Sequence, residues 1–161
     1  MPTRAAVDTF TIEEAQARLP LVRSIVRDLK NLAQRMDQTR SRLEALKVRR
    51  GEKAAGDIYG QELQAVEAGL EDDAQRLESY VEELLELGIE PVDYSEGVVS
   101  FPSLMFGRSV CLSWKYDEPA IEYWHENDEE YHHRQAIGSR LGKSVEQNSV
   151  NRMEARFDES V

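Results

Sequence analysis

The stretch EELLELGIEPVDYSEGVVSFP, Glu82–Pro102, changes its period in the middle. Up to Leu87 its leucines fall at helical spacing; beyond Gly88 comes a polar, turn-rich segment and then VVSFP, which has the composition of a strand. Glycine reaches positive φ without a Cβ penalty, so Gly88 reads as the left-handed stop of a helix. A helical part therefore precedes this point and a sheet part follows it. The expected class is α+β, mostly α.

Upstream of Gly88 the apolar positions Tyr59, Leu63, Val66, Leu70, Leu77, Tyr80, Leu84 and Leu87 keep alternating steps of three and four, with Asp73 the one break. A second series, Val22, Ile25, Leu29, Leu32, Met36, Leu43 and Leu46, has Thr39 as its one polar position. Between the two lies RRGEKAAGD, Arg49–Asp57, whose glycines and charges predict a loop. Two heptad series joined by a short loop predict a long, coiled-coil-like antiparallel hairpin over about residues 20–88.

Charge separates the two helices. Between Pro20 and Arg50 nine bases face three acids, leaving +6; between Asp57 and Glu90 one base faces eleven acids, leaving −10. Opposite charge selects which helix pairs with which, while the apolar seam supplies most of the stability, because exposed ion pairs are worth only about 0.2–1 kcal/mol each. Lys47, Arg49, Arg50 and Lys53 at the tip invite a phosphate-binding reading, but no aromatic or glycine-rich phosphate loop accompanies them, and a solvated loop beside an acidic neighbour is the simpler account. A further stripe, Leu21, Val26, Ala33 and Val48 with Ala65, Val81 and Leu85, is expected to extend the seam toward another chain.

FTIEEA, Phe10–Ala15, is a helix start: Thr11 and Glu14 have capping-box spacing, and Phe10 and Ala15 that of a hydrophobic staple. Pro20 then predicts a short helix near 12–18 and a new one beginning at the proline, with a kinked continuous helix as the competing reading.

Downstream of Gly97, VVSFP, RSVCLSWKY and AIEYWHE predict a small antiparallel sheet of three strands over about residues 90–126, packed at the base of the hairpin. A two-residue loop at Asp117 and Glu118 sets Trp114 opposite Ile121, Leu112 opposite Tyr123 and Val110 opposite His125, so that His125 shares the apolar face. Residues 1–137 are read as one domain and 138–161 as a flexible polar tail.

Composition excludes several functions. A net charge of −11 argues against nucleic acid and anionic membrane as partners, and no apolar run approaches the roughly 20 residues of a membrane span. The single cysteine, Cys111, permits no internal disulfide and no cysteine-based zinc site, and the cytoplasm is the expected compartment. No nucleophile elbow, phosphate loop or dinucleotide fingerprint occurs. All three histidines lie in IEYWHENDEEYHHR, Ile121–Arg134, where His125, Asp128, His132 and His133 are the candidate metal ligands; a structural role for His125 and surface positions for His132 and His133 are the expectation, with no cofactor.

FTIEEAQARLP, together with the ordered run ELGIE, GVVSFP, GRSVCLSWKYDEP and IEYWHE closing at Arg134, resembles an uncharacterised prokaryotic family, domain of unknown function 2203, over roughly residues 10–137. Positions matching that pattern are Phe10, Pro20, Phe101, Pro102, Trp114, Glu118, Pro119, Tyr123, Trp124, His125, Glu126 and Arg134. The chain departs from it at Ser100, where an acid is expected, and at His132 and His133, where small residues are. The resemblance implies a mostly helical protein with a terminal sheet and brings no reaction with it. Trp114, Glu118, Tyr123, Trp124, His125, Glu126 and Arg134 form the candidate cluster. The expected function is a non-enzymatic protein-interaction module, a homodimer or the binder of another protein; the alternative is a metal-binding protein or small metal-dependent enzyme centred on His125, Glu126 and Arg134.

Overall fold

A computed structural model of the chain describes residues 8–52 and 57–137. The expected tail and Lys53 of the basic loop lie outside the described residues, as do the side chains of Arg50 and Tyr59. Two helices, α1 (Ile12–Glu52) and α2 (Asp57–Glu86), precede five strands: β1 (Glu90–Asp93), β2 (Val98–Met105), β3 (Arg108–Lys115), β4 (Tyr123–Glu126) and β5 (Gln135–Ala136). A 3-10 turn, Tyr131–His133, comes before β5. The strands form an antiparallel sheet in the order β1-β2-β3-β4-β5.

The sheet thus has five strands rather than three and reaches Ala136. Both extra strands are edges too short and polar to carry a period-two signal. Pro91 has no N–H to donate, which confines β1 to an edge, and β5 has only two residues, opposite Tyr123 and Trp124.

The helix start is as the sequence predicts: the Glu14 N–H donates to Thr11 Oγ1 and the Thr11 N–H to Glu14 Oε1, both at 3.0 Å. The break at Pro20 is not: α1 continues through the proline without a new start. Proline removes one intrahelical hydrogen bond, at a cost of about 3 kcal/mol, but the buried face Ala15, Leu19, Val22, Ile25, Val26, Leu29 runs through it, and each buried side chain recovers about 1.5–3 kcal/mol.

Contacts divide the described residues into two compact units, one made of the part up to Leu19 with the part from Val99 onward, the other of Pro20–Val98. In the first, the Phe10 N–H donates to the Pro102 carbonyl at 2.7 Å, the Ser103 hydroxyl donates to the Phe10 carbonyl at 2.6 Å, and the Phe10 ring meets Phe101 edge-on at 5.5 Å. The apolar core of this unit includes Val99, Phe101, Val110, Leu112, Trp114 and Ile121. Strands β2 and β3 join through Phe106 and Gly107, both at positive φ (55° and 78°), the pairing of signs that a two-residue hairpin turn requires.

In the second unit Val22, Ile25, Leu29, Leu32, Met36 and Leu46 of α1 are buried, with Thr39 and Leu43 half-buried. On α2, Leu84 is fully buried, but Leu63, Val66, Leu70, Leu77 and Tyr80 are only half-buried. Arg35 of α1 pairs with Asp73 of α2 at 3.1 Å, and Arg42 with Glu62 at 3.0 Å. The end of α2 is a Schellman motif: Gly88 has φ 83°, its N–H donates to the Leu85 carbonyl, the Ile89 N–H donates to the Leu84 carbonyl, and Ile89 and Leu84 are both fully buried. The turn after β1 is tied to α1 by Gln34 donating to the Ser95 carbonyl and by the Ser95 hydroxyl donating to Asp37. Of the further stripe, Leu21, Val48, Ala65 and Leu85 are exposed and Val81 is half-buried, but Val26 and Ala33 belong to the core and are not available to another chain.

Candidate functional site

The β3–β4 connection is longer than a two-residue loop, and the reason is residue chemistry. Pro119 cannot donate to a ladder, and the backbone of Ile121 is taken by the side-chain amide of Gln16 in α1: the Ile121 N–H donates to Gln16 Oε1 at 3.1 Å and Gln16 Nε2 donates to the Ile121 carbonyl at 3.5 Å. Pairing resumes one residue out of the expected register, with Val110 opposite Glu126, Cys111 opposite His125, Leu112 opposite Trp124 and Ser113 opposite Tyr123. A slip of one residue exchanges the faces. His125 is buried as expected, at 5 % exposure, but on the face of Cys111 and Ser113 rather than that of Val110 and Leu112.

Four of the seven candidate residues converge on the connection, Tyr123 from that face and Trp114 from the opposite one. The Trp114 indole N–H donates to the Glu118 carbonyl at 3.0 Å. Glu118 Oε1 accepts from the Lys115 N–H at 3.0 Å and from Arg134 Nη1 at 3.2 Å, while its Oε2 accepts from Arg134 Nη2. Arg134 Nη1 also donates to the buried Ser113 hydroxyl at 3.3 Å, and the guanidinium lies 4.2 Å from the centre of the Tyr123 ring. With side-chain exposures of 18 % and 15 %, Arg134 and Glu118 form a bidentate, largely desolvated pair under an aromatic ring. It pins the segment that follows β4 to the loop that precedes it.

The other three candidates are placed elsewhere. His125 Nδ1 lies 2.7 Å from the Glu126 carbonyl, an acceptor only, so the ring donates from Nδ1. Glu126, next along the strand and hence on the other face, binds Arg108 through both carboxylate oxygens, and its N–H donates to Glu129. The hydrogen bonds from Arg108 hold the Glu126 carboxyl below its ordinary range and raise the guanidinium in turn. Trp124 is half-buried between Leu112 of β3 and Gln135 of β5. Thus His125, Glu126 and Arg134 do not share one site: Glu126 engages Arg108, and Arg134 engages Glu118.

Asp128, His132 and His133 are exposed, with the His132 ring tilted over Tyr131 at 4.1 Å and its Nδ1 3.9 Å from Glu130. Among the described residues no three His, Cys, Asp or Glu side chains gather as a metal site. Cys111 forms no disulfide, and its thiol donates to Asn127 Oδ1 at 3.2 Å. Sequence reasoning missed Gln16, Ser113 and Arg108. The partners of Gln16 are 105 residues away, and nothing local marks a serine or an arginine in a strand for such roles.

Within the arrangement the Glu118 carboxylate is paired with Arg134, the guanidinium donates to Glu118 and Ser113, and the His125 imidazole is held through its bond to the Glu126 carbonyl. Residues 8–137 match the model of a family described as Uncharacterized conserved protein (DUF2203). No curated protein and no solved structure matches the chain. Among the described residues no helix is long and apolar enough to cross a membrane.

Proposed function

The chain belongs to this family of uncharacterized conserved proteins, and from the geometry above we propose that it is a non-enzymatic, cytoplasmic protein-interaction module whose helical arm pairs first with a second copy of itself. The arm is an antiparallel hairpin of α1 and α2. In support, the partner of Arg42 on α2, Glu62, precedes the partner of Arg35, Asp73, so the two ion pairs run in opposite senses along the helices.

The observation that carries the reading is the uneven covering of the seam. Val22, Ile25, Leu29, Leu32 and Met36 of α1 are buried within one chain, whereas Leu63, Val66, Leu70, Leu77 and Tyr80 of α2 stay half-exposed, with Leu85 and Val81 beside them. At about 25 cal/mol per Å² a further helical surface over these side chains gives association a driving force that a lone hairpin forgoes. A second copy fits because it brings the basic α1 that the acidic α2 complements.

The test is truncation. Leu70→Ala with Leu77→Ala is expected to raise the dimer dissociation constant at least about tenfold, equivalent to about 1.4 kcal/mol or more, while Glu67→Ala at an exposed position shifts it less than about threefold. Sedimentation velocity reads both. Dissociation constants unchanged by the leucine truncations would remove the seam from the interface.

A further inference from the structure

Among the described residues the three most exposed large apolar side chains are Val48 at 61 %, Leu104 at 58 % and Phe106 at 53 %. Leu104 and Phe106 lie at the β2–β3 turn. Phe106 stands there at φ 55° in a two-residue turn of the kind that favours asparagine or glycine, so an aromatic is kept at the tip against the chemistry of its own turn. The Arg108 guanidinium lies over its ring at 5.7 Å; Arg108 is paired with Glu126, and Glu129 Oε1 accepts from the Glu126 N–H at 3.1 Å. Asp128, Glu129 and Glu130 are all exposed. The turn is therefore an apolar knob rimmed by acids. Val48, near the end of α1, carries the opposite rim, with Lys47 and Arg49 on either side of it in the chain and both exposed.

We propose that the β2–β3 turn is a docking knob whose occupant is the Lys47–Val48–Arg49 end of α1 in a second copy of the chain. The inference rests on the reading of the protein as self-associating and adds a second contact to it. Charge selects the pairing: acids at the knob meet bases at Val48, whereas knob against knob, or α1 end against α1 end, sets like charges together. The apolar side chains supply the affinity. In a closed two-fold pair a contact between two unlike surfaces is made twice, so it adds no third chain.

The experiment is sedimentation velocity of the full chain, with melting temperatures taken at the lowest concentration so that association does not enter them. Phe106→Asn is expected to raise the dimer dissociation constant at least about tenfold while the melting temperature holds or rises by about 2–4 °C, because asparagine suits the turn. Should Phe106→Asn lower the melting temperature instead, Leu104→Ser decides by the same dissociation constant. Reversing the rim, Asp128→Lys with Glu130→Lys, is expected to weaken the dimer as well. Adding Lys47→Glu with Arg49→Glu to that chain then restores the dissociation constant to within about threefold of the parent's. A dimer unmoved by Phe106→Asn and Leu104→Ser, or a doubly reversed chain that is not restored, overturns the proposal and leaves the pairing of the arms standing. A parent that is monomeric at every concentration removes both.

Discussion

Trp114→Ala is expected to cost about 3–5 kcal/mol, a large part of the 5–15 kcal/mol by which a domain of ordinary stability is held. Trp114 is fully buried in β3, edge-on to Tyr116 at 6.2 Å, and its indole N–H satisfies the Glu118 carbonyl. Alanine leaves a cavity where the indole stood and removes that donor at once. Trp114→Phe separates the two effects, since it keeps most of the packing and loses the hydrogen bond; about 1–2 kcal/mol is expected for it. Urea unfolding followed by circular dichroism measures both, and equal losses in the two variants would show that packing around the indole contributes little.

The second large effect is expected at the Glu118–Arg134 pair. Removing either partner leaves the other charged in a site of which less than a fifth is exposed, at a cost of about 3–5 kcal/mol. Arg134→Ala also strips the Ser113 hydroxyl of its donor and Tyr123 of the stacked cation. The double variant Glu118→Ala, Arg134→Ala should lose much less than the sum of the single changes, because no charge is then stranded. A double-mutant cycle in urea checks this, and additive losses would mean that the pair is screened and contributes as a surface bridge does. Arg134→Lys is expected to behave nearly as badly as alanine, since an ammonium cannot make the two parallel bonds to Glu118 or stack on Tyr123.

Local chemistry was legible in advance and long-range chemistry was not. The capping box of Thr11 and Glu14 and the stop at Gly88 each need only their own neighbours, and both formed as the residues dictate. The helix through Pro20 went against its local signal because buried residues on both sides outweigh one absent hydrogen bond. The register of β3 against β4 was set by Gln16, far away in the chain, whose amide occupies the Ile121 backbone and lengthens the connection. Because side chains alternate along a strand, that single displacement also moved His125 to the other face. In the site, Trp114, Glu118, Tyr123 and Arg134 were singled out by their match to a family pattern, and the structure supplies the physical reason they belong together. Ser113, the buried acceptor that completes the arrangement, carries no sequence signal.

The account turns on whether the half-covered face of α2 is completed by another copy. Sedimentation equilibrium of the parent chain, from about 1 µM to about 100 µM, spans dissociation free energies of about 5.5–8 kcal/mol, the range expected of such an interface. The predicted result is a mass rising to twice the 18.4 kDa of one chain. A mass of one chain at every concentration would contradict it.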